Sequence, residues 1–213
     1  FVFCQVIFFV HGDVMTINNF NTMYKNQLGD KDIYDLYKNS KEVVGEGMNR
    51  ESVRVPFKNN TYNSVIVKSI NLKFWLANII DACEMKASYI GLSPKYYGKV
   101  YDDKKNIDDA TMFLSVTEEL WITLDDLQWG SKYKSKMANI SFESRLKAYI
   151  DIFQRFKNFQ DENLVHSDIK PANIVLVEDP NIKQEFSLRF IDFDGCDSKD
   201  NGSYVSTIMY EFY

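Results

Sequence analysis

The chain has 213 residues, with 25 Lys+Arg against 30 Asp+Glu and a formal net charge of −5. Hydrophobic residues make up 45% and aromatics 15%, enough to fill a core, which excludes a wholly disordered or collagen-like chain. The mildly acidic balance argues against a surface built around a nucleic-acid backbone.

Residues 1–10, Phe-Val-Phe-Cys-Gln-Val-Ile-Phe-Phe-Val, are the most apolar stretch and read as a buried strand or the remnant of a targeting segment. No apolar run approaches the roughly 18–20 residues of a membrane span, so no span is expected. Cys4, Cys83 and Cys196 are far apart with no C-x-x-C spacing. Neither a disulfide framework nor a zinc site is expected, and a reducing, intracellular (cytoplasmic) setting is the default. Residues 11–40 are polar and read as loop with one short helix at 32–38.

Three β-rich runs follow at 41–44, 52–57 and 64–70, separated by Gly45-Glu46-Gly47 and the Asn59-Asn60 turn, which predicts an antiparallel meander. Leu72, Trp75, Leu76, Ile79, Ile80 and Cys83 then fall on one face of a helix. Residues 96–101 and 111–117 read as two more strands. A long helix is predicted over 142–160, with Phe142, Leu146, Tyr149, Ile150, Phe153 and Phe156 as its buried stripe and Ser141 as its cap. Two short strands, 173–177 and 186–191, bracket a turn at Asp179-Pro180. The order predicts an α+β protein: a five-stranded antiparallel sheet with one helix, then a mainly helical lobe.

The densest chemistry lies in His166-Ser167-Asp168-Ile169-Lys170-Pro171-Ala172-Asn173. On one loop, Asp168 can accept a proton from a hydroxyl, Lys170 can neutralise a transferring phosphate, and the Asn173 oxygen can ligate a hard cation such as Mg²⁺. Any one of these residues alone reads as a polar loop. The whole string in this order does not.

This string resembles the catalytic loop H-R-D-x-K-P-x-N of the eukaryotic protein kinases, and Lys170-Pro171 resembles their Ser/Thr branch. The resemblance implies a bilobal fold with an N-terminal extension at 1–40, an N-lobe at 41–119 and a partial C-lobe at 120–213. It also implies a Mg²⁺-binding aspartate, and Ile191-Asp192-Phe193-Asp194-Gly195 places Asp192 in the position of the D-F-G aspartate. Val65-Ile66-Val67-Lys68 is similar to V-A-I-K, and Glu84 follows on the predicted helix as the partner of Lys68. Gly45-Glu46-Gly47 keeps two glycines of the phosphate loop, with Val44 and Val53 expected to cover adenine and the backbone around Thr117, Glu118 and Glu119 to meet its edge.

Several positions depart from the family pattern. Arg50 stands where a third glycine belongs, and Val53 arrives one residue late. Ser167 replaces the usual Arg, and Asp194 replaces the glycine of D-F-G. The stretch from Asn173 to Asp192 is long, with the insertion expected at residues 178–185. Ser206-Thr207-Ile208-Met209-Tyr210 resembles the segment before A-P-E, so the resemblance covers 41–213 but only about the first two thirds of a kinase domain. The expectation is a piece of a longer polypeptide, or a chain whose second lobe is covered by a partner. The leading functional expectation is an ATP- and Mg²⁺-dependent Ser/Thr kinase acting on a protein hydroxyl. The second is a pseudokinase or truncated scaffold that binds without turnover. A small-molecule kinase of the aminoglycoside or choline type ranks third.

Overall fold

The computed structural model describes residues 14–15, 17–46, 50–57, 64–73, 77–102, 110–119, 122–129, 140–178 and 186–198. The N-terminal half is built on one mixed sheet. Its strands are β1 (Val14–Met15), β2 (Val43–Glu46), β3 (Arg50–Pro56), β4 (Ser64–Asn71), β5 (Tyr96–Tyr101) and β6 (Met112–Glu118), in spatial order β1-β5-β6-β4-β3-β2. Strands β2 to β6 pair antiparallel, as the five-stranded sheet predicted: β2, β3 and β4 follow one another as a meander, and β6 lies between β4 and β5. The sixth strand is a correction: β1 lies parallel to β5 at the edge, Val14 against Lys99 and Met15 against Val100. Two residues are too few to show an alternating pattern, so only pairing reveals the strand.

β4 carries the run Val65-Ile66-Val67, all buried, because layers of helix cover both faces of the sheet. Residues 17–39 form three helices, α1 (Ile17–Met23), α2 (Lys25–Leu28) and α3 (Ile33–Asn39), where the sequence predicted loop and one helix. The Asn-rich stretch has low helix propensity, and burial of Ile17, Phe20, Leu28 and Ile33 against the sheet overrides it. Asp32 caps α3 by accepting from the Tyr34 N–H at 2.8 Å. On the opposite face lies α4 (Ala77–Tyr89). Leu72, which the apolar spacing placed on this helix, lies in a turn before it. Leu72 belongs to a separate cluster with Ile70 and Phe113, while Trp75 and Leu76 lie outside the described residues.

The second half holds β7 (Ile122–Thr123), α5 (Leu124–Trp129), α6 (Phe142–Asp161), β8 (Leu164–Val165), β9 (Ile174–Glu178), β10 (Phe186–Phe190) and β11 (Asp197–Ser198). Strands β10-β9-β7 form one small sheet and β11-β8 another, so the described part of this half is less purely helical than expected. Ser141 caps α6 as predicted, accepting from the Ser144 N–H at 3.1 Å. The predicted stripe of α6 is a second correction. Ala148, Ile152 and Phe159 are buried and Phe156 is partly buried, whereas Phe142, Leu146, Tyr149, Ile150 and Phe153 are exposed, Phe153 by 58%. The helix has two apolar faces, and periodicity alone does not say which one meets the core. Gly91, at φ 71°, lets α6 approach the loop after α4: Arg155 donates to the Gly91 carbonyl at 2.8 Å, and a Cβ there would collide with the guanidinium.

One apolar cluster then joins the halves. Cys83, Ala87 and Leu92, from α4 and the loop after it, pack with Ile152, Phe159, Leu176, Leu188, Phe190, Phe193 and Cys196. The dense seam places α4 directly against the short 3₁₀ turn Phe193–Gly195. Cys83 and Cys196 form a disulfide across it, with Cα atoms 6.6 Å apart and a separation of 113 positions in sequence. No disulfide framework was expected, and this bond departs from that reading. Such a long separation leaves no local signature.

Candidate active site

The site begins with a cation on a strand. Lys68 lies on β4, opposite Ser52 on β3 and Ser115 on β6. Alternation along a strand sends Val67 to the layer of α1 and α3 and Lys68 to the α4 side. There Lys68 Nζ pairs with the Glu84 carboxylate, and Ser115 Oγ donates to the other Glu84 oxygen at 3.2 Å. Both charged side chains are buried, with 8% and 3% of their surface exposed. A buried pair persists only when each charge compensates the other, so α4 is held where Glu84 meets Lys68.

A second ion pair sits one turn earlier on α4. Asp81 meets Lys99 of β5 at 3.0 Å and accepts from the Tyr96 hydroxyl at 2.8 Å. Burial raises the Asp81 carboxyl above its usual value, while Lys99 and Tyr96 oppose that rise. Ser115, Asp81 and Lys99 were not singled out in the sequence. The i, i+3 spacing of Asp81 and Glu84 was the available signal, since it puts both carboxylates on one face of α4.

The adenine-facing expectations fare differently. Val53 is buried, but in the cluster with Val67, Val116, Ile17 and Phe20, so it lies on the face away from Lys68. Its one-residue offset from the family pattern has a physical consequence, because a shift of one reverses the face of a strand. On the Lys68 side of β4 the buried apolar residues are Ile66, opposite Arg54 and Thr117, and Ile70. Val44 is exposed, and Gly45 lies beside a β-bulge. Gly47 is outside the described residues, as is most of the turn expected to hold the insertion. Thr117 and Glu118 lie within β6, where the Glu118 N–H already donates to the Lys95 carbonyl at 2.8 Å. The Glu119 carboxylate meets Arg54 at 2.8 Å and also engages the Ser64 hydroxyl.

Asp168, Lys170 and Asn173 do converge. Lys170 Nζ donates to Asp168 Oδ2 at 2.7 Å, and Asn173 Nδ2 donates to the same oxygen at 2.8 Å and to the Asp168 carbonyl at 2.9 Å. Pro171 opens the 3₁₀ turn Pro171–Asn173, which brings Asn173 back over Asp168. The hydrogen bond to Asp168 raises the Lys170 pKa, with the charges of Asp168 and Asp192 adding to the effect against a smaller desolvation cost. Lys170 is thus an ammonium at neutral pH, within the field of both carboxylates.

His166 joins this loop to the Asp192 segment. Its Nε2–H donates to the Ile191 carbonyl at 2.9 Å, and its Nδ1 faces the Asp168 N–H at 3.4 Å. The ring packs 4.7 Å from Phe193 and 5.3 Å from Phe190, centre to centre. Burial lowers the His166 pKa, so the imidazole is neutral. Protonation would also set an Nδ1–H against the Asp168 N–H. The Ile191 N–H donates to the Asn173 carbonyl at 2.9 Å, closing the link between the two segments.

Ser167 and Asp192 both occupy the left-handed region, at φ 63° and 64°. For non-glycine residues this costs of order 1 kcal/mol each and persists where surrounding contacts over-determine the backbone. Gly195 backs onto the same loop: a Cβ there would lie 3.3 Å from the Ser167 Cβ.

The donor set suits a hard cation. The Asn173 amide nitrogen is committed to Asp168, which leaves its Oδ1 as the atom it can offer, and Asp192 supplies a carboxylate. Mg²⁺ commonly takes one or two protein oxygens and completes its shell with water and phosphate. Among the described residues no group of three or more His, Cys, Asp or Glu is arranged to hold a metal by protein ligands alone. Two surface cavities of about 400 and 730 Å³ lie elsewhere, one against α6 and β10 and one beside α3, and neither is lined by Lys68, Asp168 or Asp192.

No protein-family model matches the chain, and no curated protein matches it. Among the described residues no helix is long and apolar enough to cross a membrane.

Proposed function

We propose that this chain binds Mg²⁺·ATP between its two halves and transfers the γ-phosphoryl group to a protein Ser or Thr hydroxyl. The observation that carries the reading is the buried Lys68–Glu84 pair, on an element packed directly against the turn that follows Asp192. A lysine buried on a sheet and held by a helix carboxylate is a costly arrangement, and a phosphate-binding role accounts for it.

In this reading Lys68 neutralises the α- and β-phosphates, while Asn173 and Asp192 hold the Mg²⁺. The metal supplies charge neutralisation on the phosphates. Asp168 accepts the proton of the acceptor hydroxyl and fixes its direction, and the Lys170 ammonium offsets charge on the phosphoryl oxygens. Lys170 and Asn173 both donate to Oδ2, which fixes the plane of the Asp168 carboxylate before any hydroxyl arrives. Positioning and electrostatics supply most of the acceleration. Ile66 replaces Val53 as the apolar neighbour of the base.

Three observations favour a second reading, a kinase-like binding module without turnover. Val53 lies away from Lys68, the Glu118 N–H is already paired, and Asp194 replaces a glycine. Thermal unfolding with and without Mg²⁺·ATP, followed by a phosphoryl-transfer assay on protein acceptors, separates the two. Stabilisation with transfer supports the enzyme, stabilisation without transfer supports the module, and no stabilisation removes both.

A further inference from the structure

We propose that the Cys83–Cys196 disulfide is a redox-controlled brace: when formed it clamps α4 onto the turn after Asp192, and when reduced it releases the two halves of the candidate site. Its effect on nucleotide rests on the phosphoryl-transfer reading above. The brace itself does not.

The placement carries the inference. Cys83 immediately precedes Glu84 on α4, and Cys196 closes the 3₁₀ turn that begins after Asp192, its N–H donating to the Phe193 carbonyl at 2.9 Å. One covalent bond therefore spans the element that carries the Lys68 partner and the segment that carries the candidate metal ligand. The bond closes a span of 113 residues, so it removes much freedom from any state in which the halves separate. Both cysteines are buried, 1% and 0% exposed, among Ala87, Phe159 and Phe193. Thiol exchange there requires α4 and the turn to part, which makes bond making and breaking a report of that opening.

The chemistry balances with a low-molecular-weight disulfide such as oxidised glutathione. The thiolate of one cysteine attacks it, forms a mixed disulfide and releases one small thiol. The second cysteine's thiolate attacks the protein sulfur of that mixed disulfide, releasing the second small thiol. Each cysteine proton ends on a released thiol. Excess dithiol drives the reverse.

The test compares the full chain equilibrated with oxidised glutathione and with dithiothreitol. Peptide mapping under non-reducing conditions should recover a Cys83–Cys196 cross-link only in the oxidised sample. The oxidised form should melt about 5–10 °C higher. Amide exchange in Ala77–Tyr89 and in residues 193–198 should be about tenfold slower or more. Cys83→Ala and Cys196→Ala should each abolish the difference between the two conditions, whereas Cys4→Ala should keep it. Failure to form the cross-link, or a cross-link that leaves exchange in α4 unchanged, overturns the brace. These readouts need no nucleotide and no variant. Mg²⁺·ATP should bind the oxidised form at least about threefold more tightly, and equal affinity in both forms would refute control of the site. Absence of binding in both, with the exchange difference intact, would leave the brace standing and remove the nucleotide reading.

Discussion

Replacing Glu84 by alanine deletes the carboxylate that pairs with Lys68 and also removes the acceptor of the Ser115 hydroxyl. Lys68 would remain on β4 with its ammonium almost wholly out of water. Removing one partner of such a pair costs about 3–5 kcal/mol, because the other charge is left uncompensated. For a domain of this size each kcal/mol lowers Tm by about 2–4 °C, so Glu84→Ala should melt about 6–20 °C below the wild type. The double variant Lys68→Met/Glu84→Leu removes both charges and keeps volume, and it should recover most of that loss. Urea unfolding followed by tryptophan fluorescence and by circular dichroism supplies the free energies and checks that one transition is being measured. The cycle distinguishes a buried pair from two solvated side chains that happen to meet. A Glu84→Ala variant within about 0.5 kcal/mol of wild type, or a double variant worse than either single one, would refute the reasoning.

Three further outcomes are expected. Asp168→Asn should lower phosphoryl transfer by about 10²-fold or more while Mg²⁺·ATP affinity changes little, since Lys68, Asn173 and Asp192 are untouched; undiminished turnover would remove Asp168 from its role. Folding holds the His166 pKa below the ordinary 6.5 through burial, so the unfolded chain takes up a proton first. Its contribution to stability is therefore complete above about pH 6.5 and declines as pH falls below it, and His166→Asn should lose that component of the pH dependence in urea titrations from pH 7.5 to 5. Asp81, raised by burial, gives the opposite slope at lower pH and is common to both proteins, so it cancels in the difference. Finally, Ile152→Ala should cost about 2–5 kcal/mol and its neighbour Phe153→Ala less than about 0.5 kcal/mol, because only the first is buried. Equal costs, read from urea midpoints, would show that α6 is turned differently.

What the sequence determined by itself was local. Asp168, Lys170 and Asn173 converge because a proline and a short turn fold them onto one another, and the hydrogen bonds among these three span at most five positions. The antiparallel strands were legible because β-branched runs and intervening turns are written in consecutive residues, and Ser141 was legible as a cap for the same reason. The proposed partnership of Lys68 and Glu84 came from resemblance, and only the packing of α4 brought the two together.

Tertiary structure alone decided the rest. It put Val53 on the face away from Lys68, since strand register fixes which face a side chain takes. Polar residues 17–39 became helices because a few apolar side chains found a sheet to cover. The surface of α6 that meets the core was chosen over an equally apolar one, and Cys83 was joined to Cys196 across 113 residues. Each of these outcomes depends on what a residue meets at long range, and periodicity, propensity and spacing hold no record of that partner.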